Sequence, residues 1–180
     1  MGRLPELDEN KLSTEQRKIY DEIKSLRGQV RGPFAVWLRN AELGAGTLKL
    51  QDMFAARVNL ERRLVQLMIL VAARSASAQY AWFIHEPHAL QYGIAQDIVD
   101  AIRERRTPNF IKEDERAVYD ITLELNTTQT LSAATFERGM KLFDEQRMVE
   151  LVSGVGFYSM VAMTLNAFDV QVPTSSQPLK

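Results

Sequence analysis

The sequence predicts an all-α protein, and three kinds of observation support this class. Residues that cap the first turn of a helix recur along the chain, glycines that stop helices follow them, and the most apolar segment has few β-branched residues. The 180 residues fit one domain, which we place at 4–172. The short Ser- and Pro-containing remainder, 173–180, is expected to be a mobile tail.

The first helices are predicted from their caps. Ser13 can cap a helix because a glutamine stands three positions later, the spacing of a capping box, and Gly28 is placed to stop that helix. A short apolar helix is expected at 33–38. Asn40 can then cap a helix that ends near residue 56.

The middle of the chain contains the most apolar helix. Asn59 is its predicted cap, and every residue of 64–73 except one glutamine is apolar, so this helix should be buried on all sides. Ser75 or Ser77 is expected to start the next helix, which Gly93 closes. Further helices are expected at about 95–105, 112–127, 133–143 and 145–168.

Composition excludes several functions. The formal net charge is −1, which argues against a nucleic-acid partner because phosphate binding needs a clustered basic face. Cysteine is absent, so the chain has no disulfides, no thiolate metal ligands and no cysteine nucleophile. We expect no cofactor. The first residues resemble neither a signal nor a transit peptide, so a cytoplasmic location is expected.

Residues 148–168 contain a single charge and are nearly long enough to cross a bilayer. Serine, glycine, threonine and asparagine interrupt this run, which makes it too polar for a lone membrane span. A central helix packed by its neighbours could satisfy those polar groups. We therefore expect a soluble protein with no membrane partner.

The residues that could carry chemistry cluster around His85. Imidazole changes charge near neutral pH, so His85 is the candidate for proton transfer. Tyr80 could donate or accept a hydrogen bond, and Trp82 could form an apolar wall for a ring-shaped substrate. Gln66 lies in the apolar run and must find a hydrogen-bond partner, either in a structural network or in a pocket. The alternative for the aromatic residues and His85 is packing alone.

Two further points concern cations and metals. Arg62 or Arg63, beside the apolar helix, could hold a substrate carboxylate, although either could equally be an exposed charge. His85 and His88 are three residues apart, but Pro87 disturbs the helix between them and no third ligand is placed to join them. No metal site is therefore predicted.

Most of the chain resembles the carboxymuconolactone decarboxylase and alkylhydroperoxidase D-like superfamily, in its longer, cysteine-free branch. The thiol-active members carry a Glu on one helix, a Cys-x-x-Cys at the start of the next, and a His four residues later. Counted back from His85, the cysteine positions fall on Ala78 and Ala81, and the Glu position falls on Gln66. The stretches that carry the wider resemblance are 31–36, 64–70, 80–89 and 149–167.

The resemblance implies a helical domain of about seven to eight helices and a homo-oligomer, often trimer-based in the family. It also implies a redox-independent, decarboxylase-like lyase that acts on a small carboxylated or lactone substrate. The alternative is a non-catalytic oligomer that binds a small ligand or serves as a scaffold. Thiol-dependent peroxidase activity is excluded because no thiolate is available, so that label would only be inherited from relatives.

Overall fold

A computed structural model describes residues 2–174 and 177–179, and it confirms the all-α class. The described residues form a short 3-10 turn and nine α-helices, the number predicted segment by segment and one or two more than the resemblance implies. The helices are α1 (Thr14–Arg27), α2 (Pro33–Trp37), α3 (Ala41–Ala56), α4 (Arg62–Ser75), α5 (Gln79–Gln91), α6 (Gln96–Arg103), α7 (Glu113–Thr128), α8 (Ala133–Leu142) and α9 (Glu145–Ala167).

Internal contacts divide the chain into two compact units. The first contains residues 2–57 and 164–171, and the second contains 58–163 with the described part of 172–179. The single domain predicted over 4–172 stays a prediction. The mobility predicted for 173–180 falls partly on residues 175, 176 and 180, which lie outside the described residues. Within that tail, Leu179 is 2% exposed and exchanges two hydrogen bonds with the side chain of Gln79.

The first unit has a small core in which α1 and α2 both pack on α3. The indole of Trp37 is buried, and its Nε1 donates to the Thr164 hydroxyl at 3.1 Å. Two sequence-predicted caps are confirmed here. Ser13 forms the full capping box at the start of α1, and Asn40 Oδ1 accepts from the Leu43 amide at 3.0 Å at the start of α3.

The second unit is built around α4, which packs most extensively on α5 and α7 and also contacts α6. The prediction that 64–73 is buried on all sides is confirmed for every residue of the run except Gln66, which is partly exposed. The burial of these large aliphatic side chains is the main stabilising contribution of this unit. Helix α4 therefore provides a rigid support for the side chains that line α5.

Two predicted helix starts are wrong. Asn59 does not cap α4, which starts further along the chain; its side-chain amide and its backbone N–H both donate to the carboxylate of Glu150 on α9. Helix α4 begins after Glu61 without a side-chain cap. Neither Ser75 nor Ser77 starts α5, which begins after Ala78 instead; the Ser75 hydroxyl donates to a carbonyl of α4. Both errors arise because a side chain found a different partner.

Candidate functional site

The candidate site forms where α5 packs against α4. His85 lies in the middle of α5 and Gln66 in the first half of α4, and His85 Nδ1 is 2.9 Å from Gln66 Oε1. An amide oxygen can only accept a hydrogen bond, so Nδ1 carries the proton and donates a hydrogen bond to Gln66 Oε1. The remaining ring nitrogen, Nε2, then carries the lone pair. The sequence-predicted pair of His85 and Gln66 is thus brought together in the structure.

The electrostatic environment keeps this imidazole neutral. Desolvation by burial, followed by repulsion from His88, lowers the pKa of His85 from its ordinary 6.5 to about 3. At neutral pH the ring is therefore a hydrogen-bond acceptor at Nε2 rather than a reservoir of an acidic proton. Proton donation would require a bound group that stabilises the imidazolium.

An aromatic side chain from the last helix completes the surroundings of His85. The ring of Tyr158 on α9 meets the imidazole edge-to-face, with 5.7 Å between ring centroids. Phe157 lies against Tyr158 at 5.2 Å, and both are buried. His88, one turn along α5, is exposed, and its ring centroid is 6.2 Å from that of His85. Tyr158 was not predicted as a site residue.

Trp82 is part of a buried polar network rather than an open wall. Its side chain is fully buried, and its Nε1 donates to Glu86 Oε2 at 2.8 Å. Glu86 also accepts from Arg103 on α6, whose guanidinium lies 5.7 Å from the indole ring centroid. Asp100 pairs with the same arginine. This network anchors the face of α5 that carries Trp82 and Glu86 to α6.

The predicted hydroxyl of Tyr80 is not aligned with His85. Tyr80 lies in the first turn of α5 and is 7% exposed. Five residues of a regular helix separate the two side chains by about 140° around the axis, so they project from different faces. The two alanines that occupy the family's cysteine positions, Ala78 and Ala81, are both buried at the start of α5.

The two predicted arginines differ in their surroundings. Arg63 pairs with Asp114 and Glu115 of α7, each at 2.6 Å. Burial alone would lower the pKa of Arg63, but the hydrogen bonds to these two carboxylates raise it above its ordinary value. Its charge is thus balanced within the unit. Arg62 is partly exposed at the first position of α4.

Within the described ranges, no group of three or more histidine, aspartate or glutamate side chains is arranged to hold a metal ion. The two histidines of α5 therefore stand without a third potential ligand of these types in that part of the chain.

No protein-family model matches this sequence. No curated protein matches it either. Solved structures do match, over nearly the whole chain. An uncharacterized peroxidase-related protein from Silicibacter sp. TM1040 is 15% identical, with a TM-score of 0.76, and the match covers 98% of this chain and 94% of that one. An uncharacterized peroxidase-related protein from Ralstonia eutropha JMP134, described as an alkylhydroperoxidase AhpD core, is 13% identical at a TM-score of 0.77, covering 95% and 92%.

The chain has the alkylhydroperoxidase D-like fold. The debrominase Bmp8 shares this fold: its apo structure is 16% identical to this chain, with a TM-score of 0.74 and coverage of 96% and 92%. A cysteine-to-alanine variant of that debrominase was solved in complex with 2,3,4-tribromopyrrole and is equally similar, at 17% identity and a TM-score of 0.74. At these identities the likeness establishes the fold alone.

Two features of the residues determine what chemistry this site can perform. The chain contains no cysteine. The side-chain amide of Gln66, which is neutral, accepts the hydrogen bond from His85 at the position where the thiol-active pattern has a carboxylate. A carboxylate at that position would favour the imidazolium, whereas Gln66 leaves the ring neutral. The arrangement can orient a neutral base, and it contains no thiol for redox chemistry.

Proposed function

We propose that the chain is a redox-independent enzyme, similar in chemistry to carboxymuconolactone decarboxylase, that acts on a small carboxylated or lactone substrate by proton transfer at His85. The observation that carries this proposal is the hydrogen bond between His85 Nδ1 and Gln66 Oε1. It fixes the tautomer and the direction of the imidazole, which a general base requires before its pKa matters.

A carboxylated substrate would also supply the charge that the site lacks. Placed beside the imidazole, its carboxylate would favour the imidazolium and raise the pKa of His85 from about 3 toward neutrality. The ring would then take up a proton at Nε2 when substrate binds and return it to the carbanion or dienolate that forms as the carboxylate is lost. Proton uptake would thus be coupled to substrate binding.

Some of the other predicted residues are proposed to contact the substrate, and others are proposed to position a neighbouring side chain. We propose that Arg62 holds the substrate carboxylate, because it lies one turn before Gln66 on the same face of α4. Arg63 is engaged by Asp114 and Glu115. Gln66 is a positioning residue that acts through His85. Tyr80 stays a predicted catalytic residue that could donate or accept a hydrogen bond, and Trp82 is proposed to act by fixing Glu86 and so the orientation of α5.

The test is turnover of a panel of lactones and β-keto acids by wild type, His85→Ala and His88→Ala. We expect His85→Ala to stay folded and to lose turnover by at least about a hundredfold, the usual contribution of a positioned acid or base. His88→Ala is the matched control, because it removes an exposed histidine from the same helix and should retain most of the activity. Full activity in His85→Ala would refute the proposal.

Gln66→Glu gives a readout that does not depend on activity. A carboxylate 2.9 Å from Nδ1 should raise the pKa of His85 because it stabilises the imidazolium. The chemical shift of the imidazole Cε1–H, followed by NMR as a function of pH, measures this pKa. An unchanged titration in Gln66→Glu would mean that the two side chains do not interact in solution.

A second candidate function is binding of a small apolar ligand without catalysis. Two observations favour it: the chain lacks both a thiol and a carboxylate at the aligned positions, and the debrominase of the same fold binds a brominated pyrrole. Under this function no member of the substrate panel is turned over, but a ligand raises the melting temperature through preferential binding to the folded state. Calorimetric titration of the same panel separates the two functions.

A further inference from the structure

A cavity lies in the unit formed by residues 2–57 and 164–171, apart from the group around His85. It has a volume of about 830 Å³ and is partly open to solvent. This volume lies in the range of pockets that hold small organic molecules. The cavity shares no residue with the group around His85. Apolar side chains cover part of its wall, among them Val36, Phe168 and Val170.

Three arginines line the same cavity: Arg3, Arg31 and Arg39. In the part of the chain that the structure describes, none of them forms an ion pair with a carboxylate. Most other arginines of the described chain do form such pairs, including Arg27, Arg63 and Arg103. Each guanidinium has five N–H donors, so hydrogen bonds to one or two carbonyls leave several donors available.

Two carboxylates also line the cavity, but they do not cancel the three arginines. Glu9 is balanced from behind by Arg17 and Lys24, at 3.8 Å each, and accepts from the Tyr20 hydroxyl. Glu6 is exposed. Three cations therefore face one uncompensated carboxylate, so the wall carries excess positive charge.

All three arginine side chains are exposed, and each has at least one hydrogen-bond partner that limits its movement. The side-chain oxygen of Gln29 accepts from Arg31 Nη1 at 2.9 Å and from its Nε at 3.2 Å. Arg39 donates to the carbonyl of Pro5 at 2.6 Å, and Arg3 Nη1 donates to the carbonyl of Ala167 at 3.0 Å. The Arg3 amide also donates to the carbonyl of Phe168, which ties the N-terminal segment to the end of α9. Gly32, at φ 61° and ψ −136°, takes a backbone conformation suited to glycine and sets the turn beside Arg31.

We propose that this cavity binds a small organic anion, a carboxylate on an apolar body, through the guanidinium groups of Arg31 and Arg39 with the apolar part against Val36 and Val170. Planar guanidinium groups match a carboxylate with paired, charge-assisted hydrogen bonds. The apolar wall gains free energy when it covers the rest of the ligand. Charge and shape thus select an amphipathic carboxylate over a bare ion or a neutral molecule.

The test uses displacement of a fluorescent probe, 1-anilinonaphthalene-8-sulfonate, from the full chain at low salt. Benzoate should displace the probe at millimolar concentration or below. Benzyl alcohol, which lacks the charge, and acetate, which lacks the apolar body, should displace it much more weakly. The double variant Arg31→Gln/Arg39→Gln should bind benzoate with an affinity at least about tenfold lower, because two charge-assisted contacts are lost.

Arg57→Gln is the matched control, since Arg57 is an exposed arginine of the same unit that does not line the cavity. In this variant and in His85→Ala, benzoate should displace the probe at the same concentration as in wild type. The result for His85→Ala distinguishes this cavity from the proposed catalytic site. Arg39→Gln removes a hydrogen bond to the N-terminal segment, so the single variant Arg31→Gln is also tested, and it should weaken benzoate binding without that change. Thermal melting checks that each variant folds. The proposal is overturned if benzoate fails to displace the probe or if benzyl alcohol displaces it as well as benzoate does. It is also overturned if Arg57→Gln lowers the affinity for benzoate as much as the double variant.

Discussion

The neutral imidazole of His85 links the site to the stability of the chain. In the unfolded chain its pKa returns to about 6.5, whereas in the folded chain burial holds it at about 3. Between these values the unfolded state binds a proton at this residue that the folded state does not. The free energy of unfolding must therefore fall as pH falls through this window, and the stabilisation is fully present only above it.

We predict that His85→Phe removes this acid sensitivity. Relative to the variant, wild type should lose up to about 1.4 kcal/mol of unfolding free energy for each pH unit between pH 6 and pH 4, the slope expected for one proton. Urea denaturation at pH 8, 6, 5 and 4 measures the difference. Carboxylates that titrate in this range are common to both proteins and cancel. Parallel pH profiles for the two proteins would contradict the buried, neutral state of His85.

At the level of residues, the sequence predicted some contacts of the site and missed others. Gln66 and His85 could be paired because the family spacing places them on consecutive helices that pack together. Tyr158 could not, because it lies 73 positions after His85 and only the packing of α9 brings its ring to the imidazole. Several other polar residues interrupt the same helix, so no sequence signal singled out this tyrosine.

The same distinction applies to whole helices. Local signals succeeded where the cap and its partner are three residues apart, as for Ser13 and Asn40. They failed at Asn59, where Glu150 offers a carboxylate from a distant part of the chain. The backbone N–H groups of Asn59 and Leu60 both donate to that carboxylate, and these charge-assisted hydrogen bonds hold residues 59–60 outside the helix, so the helix begins later. Sequence spacing alone contains no information about such a competitor.

An ion-pair cluster links the start of α4 to the start of α7, in addition to their apolar packing. Glu115 is 3% exposed and bonds to Arg63, with Lys112 more distant at 3.4 Å. We predict that Arg63→Ala destabilises the fold by about 3 kcal/mol, because it leaves a buried carboxylate without its closest partner. Chemical denaturation provides the measurement.

Glu61→Ala is the control for this cluster. Glu61 also pairs with Arg63, at 3.2 Å, but its side chain is 65% exposed, so its loss should cost less than about 1 kcal/mol. Equal effects of Glu61→Ala and Arg63→Ala would show that burial of Glu115 contributes nothing.

For the molecule as a whole, α9 raises the question of what covers its outer face. This helix is the one helix among the described residues that is long and apolar enough to cross a membrane, with a mean hydropathy of 1.5, and half of that window is already buried within the chain. The exposed half includes Val149, Val152 and Met163, which are 65%, 38% and 64% exposed. Gly156 lies among them and has open space where a side chain would be.

We propose that this apolar face of α9, defined by Val149, Val152, Gly156 and Met163, contacts a second copy of the chain. The apolar run at 64–73 is not available for such a contact, because it is already covered by α5 and α7. A contiguous apolar face with a glycine gap allows close approach of another helix, and homo-oligomers bury such faces symmetrically. Glu150 lies beside this face and is held by Asn59 and Leu60 through hydrogen bonds, so its charge is partly satisfied within the chain.

We predict that wild type forms a homo-oligomer of 20.5 kDa chains and that Val149→Glu/Val152→Glu is monomeric. Both valines are exposed, so the substitutions should cost the isolated chain little stability while they place two unpaired carboxylates in the interface. Size-exclusion chromatography with light scattering measures the mass. Leu26→Glu, at an exposed leucine of α1, is the control and should keep the wild-type mass. A monomeric wild type that sediments with anionic liposomes would instead assign this face to a membrane surface, and a variant that keeps the oligomer mass would place the interface elsewhere.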